Sequence, residues 1–374
     1  MNQEANLAKA LAHARIDKSN TSFLGEGAWH YAWKVSAKNG DFVLRIPKPV
    51  AYGEAVAYDK QESMQEYTGT ELYYQNVNRA VQGAAPEFFC FHVSEEVTYT
   101  LESFAGNSVN FRALAPEKAF EIGQQVGSIY RKTEEIPHGL EGCGYLSWSE
   151  EGGLMGSLKE NPLELLVEES QEFLSDCDLL SQAIPEFAGG TIKAALEEAA
   201  QIREQAFTEV CLTNQDASPE NILLDGGRVR LIDPFPIVYY PRGMAGNFMN
   251  LYETLFALLS DTERYKKHQF AAYTDQLHTV AQGFLAGYSG GDKEIQRQVR
   301  AEQLLQLHET VFTHHQMLEE ELSKARKIRF GNKEDIRRRL GLLVTELKEF
   351  SKLFLEDSPF KYVKTAPHPT ISHD

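Results

Sequence analysis

The 374-residue sequence predicts an α+β protein in two lobes: an N-terminal lobe built on an antiparallel β-sheet with one helix, and a larger, mostly helical C-terminal lobe. Three observations predict it. The first hundred residues hold four strand-like runs joined by short polar turns, over residues 23–35, 41–48, 88–93 and 98–104. A compact hairpin with charged ends follows much later, at residues 214–233. Most of the sequence beyond residue 116 otherwise shows helical periodicity, running to residue 355. The expected division is residues 1–103 and 104–374.

The N-terminal elements can be justified in order. Residues 23–35 read as strand, Gly25-Glu26-Gly27 turn, strand, and glycines at such a turn let backbone N–H groups approach phosphates closely. Residues 41–48 form a strand with one internal cation, Arg45, ending at Pro47-Lys48. A helix is expected over residues 65–77, carrying Glu66 and Glu71. Two further strands lead into Ala105-Gly106-Asn107, a turn placed to join the lobes.

In the C-terminal lobe, Pro116 opens a helix that reaches Tyr130. Residues 139–148, rich in glycine and aromatics, read as a loop. The next helix repeats Glu164, Glu168, Glu172 and Asp176 every four residues, and residues 150–210 hold fourteen acidic side chains against three basic ones. That acidic face reads either as solvated surface or as a wall attracting a cationic ligand. A turn-rich segment around residues 234–243 leads to a helix over residues 250–260. Long charged helices then run to residue 355, broken at Ser289-Gly290-Gly291-Asp292. His308, His314 and His315 lack metal-binding spacing, and Arg337, Arg338 and Arg339 with the nearby Lys327 and Arg329 form a basic patch, read as solvated or paired with the acidic surface. Residues 364–374 are expected to be disordered.

The hairpin is the most informative segment. Asp216 lies five residues before Asn221, an apolar strand runs to the Asp225-Gly226 turn, and a second strand ends at Asp233. Phosphoryl transfer needs such parts together: a carboxylate that orients a hydroxyl, and an amide with another carboxylate to hold Mg²⁺ on nucleotide phosphates.

This segment resembles the catalytic and metal-binding loops of the protein-kinase-like fold, in the branch of the aminoglycoside phosphotransferases and choline kinase. Asn214 stands where that family usually has His, and Pro234 follows Asp233 where protein kinases have Phe-Gly. The missing Phe-Gly argues against a conventional protein kinase, not against a small-molecule one. The resemblance implies that Asp216 takes the acceptor proton while Asn221 and Asp233 hold Mg²⁺. It makes Gly25 and Gly27 the phosphate turn and Arg45 the phosphate clamp, with Lys48 in reserve. Glu71 would steady Arg45, with Glu66 the alternative, and backbone groups from Glu102 to Phe104 would read the adenine edge.

The implied activity moves the γ-phosphoryl of ATP or GTP to a hydroxyl of a small acceptor, with a cationic, aminoglycoside-like molecule among the options. The alternatives are a metabolite kinase acting on a sugar, a choline-like alcohol or a methylthio-sugar, and an inactive nucleotide-binding module. Composition is compatible with all of these. A net charge of −17 disfavours nucleic acid as a partner, and no apolar run reaches the roughly 18 residues of a membrane span. Four widely spaced cysteines and an N-terminus without a signal-peptide pattern make the cytoplasm the expected location.

Overall fold

The computed structural model describes residues 3–356; the tail at residues 364–374 lies outside the described residues. Its first sheet has five antiparallel strands in the order β1-β2-β3-β7-β6. They are β1 (Thr21–Glu26), β2 (His30–Ala37), β3 (Gly40–Pro47), β6 (Phe89–Val93) and β7 (Thr98–Ser103). A small hairpin, β4 (Val50–Ala51) and β5 (Glu54–Ala55), projects between β3 and helix α2 (Lys60–Ala80). Asp59 caps α2 by accepting the Glu62 N–H.

Register decides what each face of this sheet does. Arg45 lies opposite Ala32 and Thr100, and Val43 opposite Lys34 and Glu102, so these residues share one face. The other face carries Trp33, Val35, Leu44, Ile46 and Tyr99, packed against Leu7, Ala10 and Leu11 of α1 (Gln3–Ala14). Helix α1 is absent from the sequence expectation, which gave this lobe one helix. It covers the apolar face and leaves the face with Arg45 to form a cleft.

Strand β8 (Asn107–Ser108) follows β7 and pairs with β12 (Ile222–Asp225), which forms a hairpin with β13 (Arg228–Leu231). Helix α3 (Pro116–Thr133) then crosses α8 (Thr274–Ser289) at the centre of the helical part. Residues 139–148 were expected to be a loop, yet β9 (Cys143–Ser149) occupies most of them, pairing with β10 (Gly153–Leu158) and β14 (Pro236–Tyr239). The strand was hidden because glycines interrupt its alternation. Buried Cys143 and Leu146 still point inward while Tyr145 points out. Strand β14 likewise replaces part of the expected turn-rich segment, and β11 (Cys211–Asn214) closes this second sheet.

The remaining helices are α4 (Pro162–Ala183), α5 (Thr191–Ala206), α6 (Pro241–Asn250), α7 (Phe256–Leu259), α9 (Lys293–Glu319), α10 (Lys324–Phe330) and α11 (Lys333–Leu355). A π-turn over Leu251–Leu255 joins α6 to α7. Asp292 caps α9, after a break at the expected Gly290-Gly291. One apolar core joins α2, α3, α6, α8 and the hairpin; a second joins α4, α5, α9 and α11. Among the described residues no helix is long and apolar enough to cross a membrane.

Candidate active site

Strand β11 delivers the loop that carries Asp216. Asn214, at its end, is buried and organises that loop through its side-chain amide. Its Oδ1 accepts the N–H groups of Asp216 (3.0 Å) and Phe235 (2.8 Å), and its Nδ2 donates to the Asp216 carbonyl at 3.0 Å. A carboxamide supplies both acceptor and donor on one rigid group, which is how Asn serves here. Below it, Tyr130 donates to the Asn214 carbonyl at 3.1 Å and Tyr252 to the Ala217 carbonyl at 2.8 Å. Asp216 accepts the Ser218 N–H at 3.1 Å and opens its carboxylate to the cleft.

The hairpin brings Asn221 and Asp233 together. Asn221 Nδ2 donates to the Asp233 carbonyl at 3.3 Å, which directs its Oδ1 the other way. Asp233 sits at φ +50°, a left-handed conformation that costs a non-glycine residue energy and marks a constrained position. Its N–H is held by the Tyr74 hydroxyl at 3.0 Å, and Tyr74 in turn donates to Glu102 Oε2 at 3.1 Å.

Arg45 reaches the same place from the sheet. Its Nε and Nη2 donate to Glu102 Oε1 at 3.0 and 2.9 Å, while Nη1 stands 3.7 Å from Asp233 Oδ1. The expected pairing with Glu71 is therefore corrected: Glu102 steadies Arg45, and Glu71 makes no ion pair among the described residues. The α2 glutamate facing the site is Glu66, whose carboxylate lies 3.9 Å from His30 Nε2. Five helical residues turn a side chain by roughly 140°, so Glu66 and Glu71 cannot face one cleft together.

Glu102 departs from its expected role in a second way. Its backbone lies inside the sheet, paired with Val43 on one side and Phe89 on the other, and its side chain is buried on Arg45. The N–H groups of Ser103 and Phe104 are taken by the carbonyls of Phe88 and Asp41, both at 2.9 Å. These two N–H groups are thus committed to the sheet.

The glycine turn is held open. A Cβ at Gly25 would meet nothing within 4 Å, and Gly27 N–H bonds to the His30 carbonyl at 2.9 Å. Lys48 braces the turn through Glu26 (3.0 Å) and the Gly27 carbonyl (3.3 Å). The reserve cation thus stands at the turn itself and Arg45 deeper, near Asp233.

Charge crowding shapes the cleft. Burial among its walls, then the nearby Asp233 carboxylate, push Asp216 up to about 6. Burial, followed by Asp233 and Glu62, raises the half-exposed Glu66 to about 8. His30 goes the other way, down to about 4, because burial disfavours its cation more than Asp233 favours it. Burial alone would lower the Arg45 guanidinium, but Glu102 and Asp233 outweigh it and hold the charge firmly.

The donor set suits Mg²⁺. Among the described residues no cluster of three His, Cys, Asp or Glu side chains could ligate a metal alone. One carboxylate and one amide oxygen, from Asp233 and Asn221, are a donor set that could hold Mg²⁺, which takes few protein ligands beside phosphate and water.

Some residues lie elsewhere. Glu164, Glu168 and Glu172 are exposed on α4, and none of them pairs with a charged group of the Asp216 loop. His308 and His314 are buried, with His308 between the edges of Phe173 and Phe187. A cavity of about 670 Å³ lined by Gln82, Gln124, Ser128, Lys132 and Arg228 opens beside α3, sharing no residue with the cleft. Tyr74 and His30 were not anticipated from sequence. The Tyr73-Tyr74 doublet, on a helix stripe with Tyr67, was the available signal for the first.

No protein-family model and no curated protein sequence matches the chain. Solved structures do. Aminoglycoside phosphotransferase APH(4)-Ia is 16% identical, covering 93% of this chain and 99% of that one, with a TM-score of 0.54. A thermostable variant of it in ternary complex with ADP and hygromycin B is 15% identical, covering 89% and 94%, with a TM-score of 0.52. Another, with AMP-PNP and hygromycin B, is 16% identical over 91% and 97%, with a TM-score of 0.51. The chain has the fold of these phosphotransferases.

Proposed function

We propose that this protein is a small-molecule kinase that transfers the γ-phosphoryl group of ATP or GTP to an alcohol hydroxyl. The observation that carries the reading is the convergence of Asp216, Asn221, Asp233 and Arg45 on one cleft, in a fold shared with phosphotransferases. The nucleotide would lie against the sheet of residues 1–103, with its phosphates near Gly25, Gly27 and Lys48. The acceptor would approach from residues 104–374.

In this reading Asp216 accepts the hydroxyl proton as the oxygen attacks the γ-phosphorus in line, while the bond from that phosphorus to the β–γ bridging oxygen breaks and the nucleoside diphosphate leaves. Asn221 and Asp233 would hold Mg²⁺, which neutralises charge on the β- and γ-phosphate oxygens. Arg45, its fork oriented by Glu102, would direct its Nη1 N–H groups toward phosphate. Positioning and charge neutralisation supply most of the acceleration, and little covalent work falls to the protein.

A second reading, a nucleotide-binding module without chemistry, draws on the Arg45–Asp233 contact, which occupies the metal-binding carboxylate. One experiment separates the two. Asp216→Asn keeps the shape of the loop and removes the charge. In a kinase it lowers kcat by roughly two to four orders of magnitude, the usual worth of a positioned base, while calorimetry still shows Mg²⁺-ATP binding. A parent protein that binds Mg²⁺-ATP yet releases no ADP with any alcohol in a broad panel identifies the module instead.

A further inference from the structure

The mouth of the cleft carries positive charge in an otherwise acidic protein. Glu220, four residues after Asp216, pairs with Arg264 at 3.0 Å and His268 at 2.6 Å. The Arg264 N–H bonds to the Ile328 carbonyl at 3.0 Å, which lays the segment of Arg264, Lys266, Lys267 and His268 against α10. Helix α10 adds Lys324, Arg326, Lys327 and Arg329. It also touches the opposite lobe, because Lys324 donates to the Gly53 carbonyl at 3.0 Å and Arg329 lies 5.4 Å from the Tyr52 ring. Tyr52 in turn meets the exposed Trp29, beside the glycine turn, at 5.6 Å.

Some acids of this region are paired and others are not. Glu220 is satisfied as described, Asp261 pairs with Arg338 and Arg339, and Glu320 with Arg326. Lys266, Lys267, Lys327 and Arg329 have no ion-pair partner among the described residues, and neither do Glu263, Glu319 and Glu321, so four such cations stand against three such acids. The Tyr265 phenol, whose ionisation burial opposes most, lies within electrostatic reach of Arg264, Arg329, Tyr52 and also Asp216. One surface therefore runs from the candidate base to unmatched guanidinium and ammonium groups, with aromatic rings between.

We infer that the acceptor is an anionic alcohol, a hydroxy acid or phosphate monoester whose charged group is held by Arg329 while its hydroxyl meets Asp216. The inference rests on the kinase reading above and narrows its acceptor. It competes with the cationic option, in which the exposed acids of α4 would attract the acceptor. A planar guanidinium grips a carboxylate or phosphate with two parallel hydrogen bonds, which a neutral or amino analogue cannot accept.

The test is a matched acceptor series on one carbon skeleton, measured as Mg²⁺-ATP-dependent ADP release: glucose, glucosamine, gluconate and glucose 6-phosphate, extended to other hydroxy acids, polyols and aminocyclitols. The expected result is highest kcat/KM for an anionic member, and the gluconate and phosphate arms say which anion is held. Arg329→Gln then raises the acceptor KM about 10- to 100-fold, leaves the KM for ATP within about twofold, and is partly rescued by Arg329→Lys. Changing Glu164, Glu168 and Glu172 to Gln leaves the acceptor KM unchanged. Preferred turnover of a neutral or amino acceptor overturns the inference while the kinase reading stands. So does an anionic acceptor indifferent to Arg329→Gln, or a panel in which no anion is turned over. Failure to bind Mg²⁺-ATP removes the kinase reading and this inference with it.

Discussion

At the scale of single residues, Asp216 and Tyr74 make opposite kinds of contribution. Asp216 acts through its charge, and burial with Asp233 lifts its carboxyl to about 6. A base works only when deprotonated, so kcat/KM for the acceptor should fall by about tenfold per pH unit below that value and level off above it. A flat profile between pH 5 and 7 would show that Asp216 is not the base. Tyr74 acts through its hydroxyl, the one group linking α2, Glu102 and the Asp233 N–H. Tyr74→Phe removes the partner of the buried Glu102 Oε2 and of the part-buried Asp233 N–H, a loss of about 1–3 kcal/mol for the buried group. The expected outcome is a folded but less stable protein with a raised KM for Mg²⁺-ATP and an unchanged acceptor KM. Equal shifts in both KM values would make Tyr74 a plain core residue.

At the scale of elements, what was legible in the sequence depended on how local the signal was. The Asp216–Asn221–Asp233 hairpin could be read because its turn, strands and polar residues all lie within twenty positions. The Arg45–Glu102 pairing could not, because register between β3 and β7 joins residues 57 apart. Reading Glu71 as the partner assumed that the helix supplied the counter-charge, whereas the adjacent strand supplies it. Strands β9 and β14 escaped because Gly142, Gly144, Pro234 and Pro236 carry turn-like composition into sheet structure. The α3–α8 crossing was also illegible, since its small residues lie more than 150 positions apart. There a Cβ on Gly127 would stand 2.1 Å from the Phe284 carbonyl oxygen, and one on Gly287 2.0 Å from that of Gln124. Backbone meets backbone, so no side chain can move aside. Gly127→Val should therefore cost at least about 3 kcal/mol in chemical denaturation or prevent folding. Gly341→Ala, in open space on α11, should instead add roughly 0.5–1 kcal/mol. Similar small effects at both sites would mean the two helices are not in direct contact.

At the scale of the whole molecule, the two lobes are tied on both sides of the cleft. On one side the chain passes from β7 through Gly106 into β8, which joins the sheet of the β12–β13 hairpin. On the other, the β4–β5 turn rests on α10 through Lys324. A cleft closed at one end can breathe like a hinge, whereas one strapped at both ends must break a contact before nucleotide leaves. Gly53 is the weak point of that strap. It sits at φ +76°, and a Cβ there would lie 2.4 Å from Lys324 Cε and Nζ. Gly53→Ala would therefore push Lys324 off the turn, with strain of about 1 kcal/mol from the left-handed backbone. The loss of stability should be small, since the contact is exposed and far from either main core. The kinetic effect should be larger: nucleotide dissociation, followed by stopped-flow with a fluorescent ADP analogue, should accelerate several-fold. Lys324→Ala should reproduce the acceleration without the backbone strain, which separates the strap from a general loosening of the lobe. If both variants release nucleotide at the parent rate, the contact with α10 does not gate the cleft, and the hinge at Gly106 alone governs its opening.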